Sequence, residues 1–494
     1  TRSSISADTV VFDSEQFYLR DIDLDVNAAT FRGDVFQGES DKSLCFGSSD
    51  SGCTQTSKDA VLVIEPKSDW VNGFSYRNGF SVFSGGSWSK SFGVEQAKGL
   101  TIDATGDPGR APVLFEDESV ELGGGPLTVT ASRIHVGEDI STDGNIQLVA
   151  TGGFDVGGSG EPTDGIGVDI RGNIDAGTGS VTVSGTASSS NTEDGNHGVE
   201  VVSSTVSGGA GVSITGVGGG TGSSDNNEGV RLRGATLASG AGDIVVSGAK
   251  GVGSLRSEGI SLEGAKNTLG SVSQSGDISL LADHFYFGID NDVLGSGALS
   301  LEPLDGESSF AKSQNVNRLD IGSSISSFTI GTAGNEAAVT LSGNEDFTVG
   351  GPITIYSDDV SLQANIEATD STLTIEGAAR NDLDGTATLT SGHTLTADSL
   401  LVRNIHQTTL SSGGTVAIDT FASAGGHRVL LTNSQALSVG TVGGVSGIDA
   451  TEWVAITTTS GDLTVNQQVA TSFTNTSWAL RLWAGRDTAH GTAT

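Results

Sequence analysis

Asp169 and Glu200 are the residues of this chain whose type and spacing most directly offer chemistry. They stand at equivalent places in Gly-Val-Asp-Ile (positions 167–170) and Gly-Val-Glu-Val (positions 198–201). If the step from one motif to the other is one turn of a coil, the two carboxylates lie side by side on neighbouring turns. Two adjacent carboxyl groups can divide acid and base work at a glycosidic bond. The next equivalents are Arg231 and Ser261, so the column mixes charges. The plainer reading is a ladder on a solvated outer face, where a Glu200–Arg231 neighbour pair contributes about 0.2–1 kcal/mol. The sequence favours the plainer reading.

The elements that must position this column are written in the repeat. Gly-Val-Arg-Leu at positions 229–232 and Gly-Ile-Ser-Leu at 259–262 extend the series, so the motif starts at 167, 198, 229 and 259 in nearly equal steps. A period in this range marks a solenoid, whose units cannot bury their apolar faces alone. Each unit continues with a brief apolar touch, at Ile174, Val206, Leu237 and Leu269. A second strand follows, as in Val181-Thr182-Val183, Val212-Ser213-Ile214, Ile244-Val245-Val246 and Ile278-Ser279-Leu280. Apolar residues alternate at period two, and no window is long or periodic enough for a helix. The expected fold is therefore all-β, a parallel β-helix of about 30-residue coils, right-handed by the crossover rule. Strands of successive coils should lie about 4.8 Å apart and hydrogen-bond in register. The pattern is strictest over 165–283. It loosens beyond, where strand cores such as Phe328-Thr329-Ile330, Val429-Leu430-Leu431 and Val454-Ala455-Ile456 still alternate.

Polysaccharide hydrolases of the galacturonase type carry Asn-Thr-Asp, Asp-Asp, Gly-His-Gly and Arg-Ile-Lys on separate coils. Here Asn191-Thr192-Glu193-Asp194 and Asn196-His197-Gly198 share one loop, Asp358-Asp359 follows much later, and no Arg-Ile-Lys exists. The order and spacing are wrong for that site. The seven histidines (135, 197, 284, 393, 406, 427 and 490) lack zinc-ligand spacing. Gly218-Gly219-Gly220 reads as loop punctuation, since no helix follows it to hold a phosphate. Calcium is the one ion the acidic loops at 161–164, 225–228 and 344–346 offer oxygens to, although none matches a known calcium loop. No cofactor is otherwise expected.

Composition narrows the partners. A formal charge of −36 repels phosphates and anionic membrane surfaces, which excludes nucleic acid. Only 35% of residues are hydrophobic, too few for a conventional core of this size but enough for thin columns between coils. The 73 glycines are expected at turns that need φ > 0. Cys45 and Cys53 close a short Ser/Gly loop, and a disulfide there implies an oxidising compartment. The chain has no Met and is expected to be a processed or trimmed product. No transmembrane run, signal peptide or lipidation motif is visible.

Aromatic residues are unevenly spread. Of 27, 13 fall before Asp107, so residues 1–107 are expected to form a distinct aromatic-rich β cap or head, with the β-helix proper over 108–494. Solenoid ends are open sheet edges that need cover. The candidate interaction aromatics are Trp70, Tyr76 and Trp88 in this segment, and Trp478 and Trp483 near the other end, where Trp453 also lies. His284-Phe285-Tyr286-Phe287 is expected to send alternate rings inward.

The runs Leu127-Thr128-Val129-Thr130-Ala131, Gly144-Asn145-Ile146-Gln147-Leu148-Val149-Ala150-Thr151-Gly152-Gly153 and Gly276-Asp277-Ile278-Ser279-Leu280 resemble filamentous-haemagglutinin-type β-strand-repeat proteins. The resemblance spans about residues 99–469 and rests on repeat style. That family's Asn-Pro-Asn secretion motifs are absent here. The resemblance implies a bacterial cell-surface or secreted fibre used as an adhesin or as biofilm matrix. The expected function is a non-enzymatic extracellular fibre or stalk, joined to itself head to tail or to a host or neighbour-cell surface or glycan. The alternative is a carbohydrate-active β-helix enzyme. Intact mass with and without reductant is expected to show one Cys45–Cys53 bridge; two free thiols would remove the argument for an oxidising compartment.

Overall fold

Alternation sends every second side chain of a strand to one side of its sheet, and buried-face alternation runs through this chain. The computed structural model describes residues 119–122, 124–152, 165–253, 257–288, 290–304, 306–343, 346–378, 385–411, 413–472 and 479–485, with the backbone of the strands lying between residues 3 and 115. Among the described residues there is no helix, and so none long and apolar enough to cross a membrane. The chain is an all-β parallel solenoid divided into two compact units, Thr1–Gly276 and Asp277–Thr494.

In the first unit each coil has an opening, a middle and a closing strand. Opening strands stack in the order Pro112–Phe115, Arg133–Val136, Val168–Ile170, Val199–Val202, Val230–Arg233 and Ile260–Glu263. Val168, Val199, Val230 and Ile260 pair in succession and are fully buried. The middle strands are short, and Ile174, Val206, Leu237 and Leu269 form a second column. The closing strands Leu127–Ala131, Ile146–Ala150, Ser180–Thr186, Gly211–Val217 and Ile244–Ala249 carry a third, through Val129, Leu148, Val183, Ile214 and Val246. Losing one such buried Leu or Ile costs about 2–5 kcal/mol, against about 1 kcal/mol or less for an exposed ion pair. The columns therefore dominate the stability. Nearer the N-terminus, Thr9–Asp13, Ala28–Arg32, Ala60–Glu65 and Ala97–Asp103 pair in parallel and pass their register to Leu127–Ala131. Two smaller parallel sheets accompany them.

Three glycines of the strict repeat serve a purpose other than left-handed backbone. Gly185, Gly216 and Gly248 form a column of their own, and none has a positive φ. A Cβ at each would fall 2.0 Å from the carbonyl oxygen of Gly198, Gly229 or Gly259, respectively. The closing strand passes so close to the turn opening the next strand that two backbones touch and no side chain fits. Left-handed residues do recur at the corner after the opening strand, at Ser203, Gly234 and Gly264 (φ 52°, 66° and 78°).

In the second unit the coils vary in length while the columns persist. Ile278, Leu299, Phe328, Ile353, Leu373, Leu400 and Phe421 are successive partners, and their numbering shows how unequal the steps between them are. Loops absorb the variation, which is why the repeat reads as degenerate in the sequence. Phe285 and Phe287 point inward and Tyr286 is 43% exposed, as the alternation requires. Phe310 meets the Phe285 ring edge-on at 5.8 Å, and Phe328 stacks with Phe347 at 6.3 Å. Sheets merge toward the end of this unit, where Thr415–Asn433 pairs with Thr394–Arg403 along its first half and Gln407–Leu410 along its second.

The glycine column generates a paired test. Gly216→Ala is expected to destabilise the chain by at least about 1–3 kcal/mol. Gly222→Ala, where nothing lies within 4 Å of the added carbon, should be close to neutral. Thermal unfolding followed by circular dichroism reads both, and equal melting of the two variants would contradict the backbone contact.

Candidate functional site

The column of Asp169, Glu200, Arg231 and Ser261 forms as its spacing requires. His135, Asp169, Glu200, Arg231 and Ser261 are consecutive register partners on the outward side of the opening strands. The expectation of a solvated ladder is corrected, however. Asp169 is 0% exposed, Glu200 3% and Ser261 1%.

Two neighbouring columns account for part of this cover. Just before each opening strand stand His197 and Glu228, both buried, at the ends of the loops that close the preceding coils. Just after the inward residue of each strand stand Arg171, Arg233 and Glu263. The three columns interlock. Asp169 Oδ2 accepts a hydrogen bond from Arg171 Nε at 3.0 Å and lies 2.9 Å from His135 Nδ1. Glu200 lies 3.5 Å from Arg171, 3.5 Å from Arg231 and 3.7 Å from Arg233. Arg231 donates to Glu263 through Nε at 2.7 Å and reaches within 2.9 Å of His197 Nε2. His197 Nδ1 and Glu228 Oε2 are 2.7 Å apart but out of hydrogen-bond alignment. The Oδ1 atom of Asp169 is buried without a partner.

Burial alone raises the Asp169 carboxyl pKa; the hydrogen bond and charge of His135, with those of Arg171, outweigh it and hold the group below its ordinary 3.8. A carboxyl kept ionised in this way suits an ion pair between coils more than proton donation.

The loop below this lattice contains the Asn-x-x-x-x-Asn-His run. Asn196 is buried and donates from Nδ2 to Asn227 Oδ1 at 2.9 Å, one coil on. Asn227 Nδ2 in turn donates to Ser224 Oγ and to the Val252 carbonyl. These amides tie loop to loop. Of the acidic loops considered for calcium, 161–164 and residues 344–345 lie outside the described residues. In 225–228, Asn227 is committed to the amide ladder and Glu228 lies against His197. Among the described residues no group of three or more His, Cys, Asp or Glu side chains is arranged to hold a metal ion.

Trp70, Tyr76, Trp88 and Trp478 lie outside the described residues, as do the side chains of Cys45 and Cys53. Trp483 is described and lines a cleft of about 310 Å³ on the outer side of the second unit, with Leu430, Trp453, Ala455 and Arg481. Three stacked strands build it: Arg428 pairs with Trp453, Leu430 with Ala455, Ala455 with Arg481 and Thr457 with Trp483. Beside it the Arg428 guanidinium pairs with Glu452, and the rings of His406 and His427 lie 4.4 Å apart. The sequence does not mark this histidine pair, because the two share no local motif; one local coil length brings them together.

No family model matches the chain, and neither a curated protein nor a solved structure matches it.

Because the folded state holds Asp169 below 3.8, the unfolded chain binds the proton more readily. The stabilisation is complete above the unfolded-state value and is lost as pH falls through the folded-state one. Acid titration followed by circular dichroism should show the native chain losing stability below pH 3.8. Asp169→Asn should lack that component and should be less stable at neutral pH by on the order of 1–3 kcal/mol. Identical acid profiles would remove Asp169 from the account.

Proposed function

We propose that this chain is a structural and adhesive fibre or stalk protein of the cell surface or extracellular space, of filamentous-haemagglutinin-like type. The observation that carries the reading is how the column of Asp169, Glu200 and Arg231 is used. Each side chain bonds to residues of a neighbouring coil, so its chemistry goes into fastening turn to turn. Asp169 and Glu200 are closed in by His135, Arg171, Arg231 and Arg233, which favours a mechanical role over acid and base work on a polysaccharide. A solenoid also grows by adding coils and presents a long outer surface for contacts.

The acidic charge keeps such a fibre soluble and repels nucleic acid.

Negative-stain electron microscopy of the purified chain is expected to show thin rods or filaments. Compact globular particles, or turnover of an acidic polysaccharide, would replace this reading.

A further inference from the structure

We propose that the hairpin at 441–446 is an autoinhibitory strap. It covers an apolar patch on the outward side of the second unit and so keeps a second copy of this chain from docking there. The proposal goes beyond the fibre reading and does not depend on it.

The ladder shows that the hairpin is an insertion. Leu437–Val439 pairs with Thr415–Asn433 as far as Val439 opposite Phe421, and Ile448 resumes the pairing opposite Ser423. Residues 440–447 therefore stand where a single residue would face Ala422. Gly447 N donates to the Gly440 carbonyl at 2.8 Å and closes the base of the insertion. Within it Thr441–Val442 and Val445–Ser446 form an antiparallel pair. Gly443 and Gly444 both have positive φ (55° and 80°), as a two-residue turn of this kind requires. The coil does not need these residues to close, so their purpose lies in what they cover.

The covered residues are apolar where the column is otherwise hydroxylated. Along this outward column Thr329, Thr354 and Thr374 are followed by Leu401 and Ala422. The three threonines are half-buried. Leu401 and Ala422 point the same way, since Leu400, Val402 and Phe421 beside them are the inward residues. Yet Leu401 is 3% exposed and Ala422 0%, because Val442 packs on them and Val445 lies against the cluster. Arg403 fastens the strap, donating from Nη2 to the Gly443 carbonyl at 2.6 Å. A Cβ at Gly443 would fall 2.8 Å from a Leu401 methyl carbon, so the turn itself rests on the leucine.

The surroundings of the patch indicate the partner. Two positions before Leu401 and Ala422 on the same strands stand Ser399 and Thr420, both uncharged. On the other side Arg403 and Glu376 lie 3.7 Å apart with opposite charges. Two copies related by a twofold axis can exchange such a pair while leucine meets leucine, since an isologous contact uses the same surface twice. Elsewhere a net charge of −36 makes copies repel one another. A patch this small gives a weak, concentration-dependent contact, which one hairpin is enough to block.

The test compares the native chain with one in which a single Ser replaces 440–447, so that the ladder continues without the strap. Circular dichroism follows folding and analytical ultracentrifugation follows mass. The strapless chain is expected to keep the β spectrum. Its weight-average mass should rise with concentration toward twice that of the native chain under the same conditions. Val442→Asp, which keeps the chain length, should produce the same association by lifting the strap. Leu401→Ser added to the strapless chain should restore native sedimentation. A folded strapless chain that sediments like the native one overturns the proposal. So does association that survives Leu401→Ser, or a strapless chain that fails to fold while Val442→Asp sediments like the native chain. The native particles seen by microscopy decide the fibre reading; only the difference between native and strapless chains decides this one.

Discussion

Parallel, in-register stacking of one coil on the next is the constraint on which the rest of this protein depends. Every described coil meets its main-chain hydrogen-bond demand through its neighbours, since no helix is present among the described residues to meet it locally. The consequence reaches the side chains. Like residues fall into columns, so that a valine at one turn is buried only if the next turn also supplies an aliphatic group there. The apolar columns through Val168 and Val199 and through Leu299 and Phe328 are the same solution at different coil lengths. The glycine column at 185, 216 and 248 is its steric counterpart, placed where two backbones come too close for any Cβ.

Columns of similar aliphatic residues carry a weakness, because Val against Val fits as well one coil away as in place. The outward lattice supplies the discrimination that the core lacks. Asp169 with His135, and Glu200 with Arg171 and Arg231, form specific pairs between coils that an aliphatic column does not make. Buried ion pairs often add little net stability after desolvation, and their best-attested use is to specify register. The lattice here fits that use, including its dependence on Asp169 staying ionised. The Asn196–Asn227 ladder acts likewise on the loops, since an amide needs both a donor and an acceptor in the adjacent turn.

The two units solve the same problem with different tolerance for variation. In Thr1–Gly276 the strict repeat keeps corners, glycines and polar columns aligned. In Asp277–Thr494 the coils shorten and lengthen, sheets merge, and aromatic rings such as Phe328 and Phe347 fill the wider places. Irregularity also opens the outer face. The cleft around Ala455 lies in this looser region, where the repeat no longer dictates which side chain stands beside which.

The sequence alone determined the coil. A nearly constant step between the Gly-Val openings, with alternation inside each unit, named the inward columns and the outward order Asp169, Glu200, Arg231 and Ser261, because period-two geometry and hydrogen-bond register leave little choice once the step is known. It also marked alternate rings of 284–287 as inward, and the structure shows these to be Phe285 and Phe287. What it could not convey was how the outward side is covered. Asp169 and Glu200 read as solvated because alternation distinguishes two sides of a strand without saying what lies over each. Only the folded loops bring His197 and Glu228 against this lattice. The glycine column was visible as Ser-Gly-Thr, Thr-Gly-Val and Ser-Gly-Ala, yet its reason is a distance between two backbones far apart in the chain. That Trp453 and Trp483 line one cleft beside Ala455 likewise needed the tertiary structure, since local coil length decides which outward residues become neighbours, and in this unit that length is not constant.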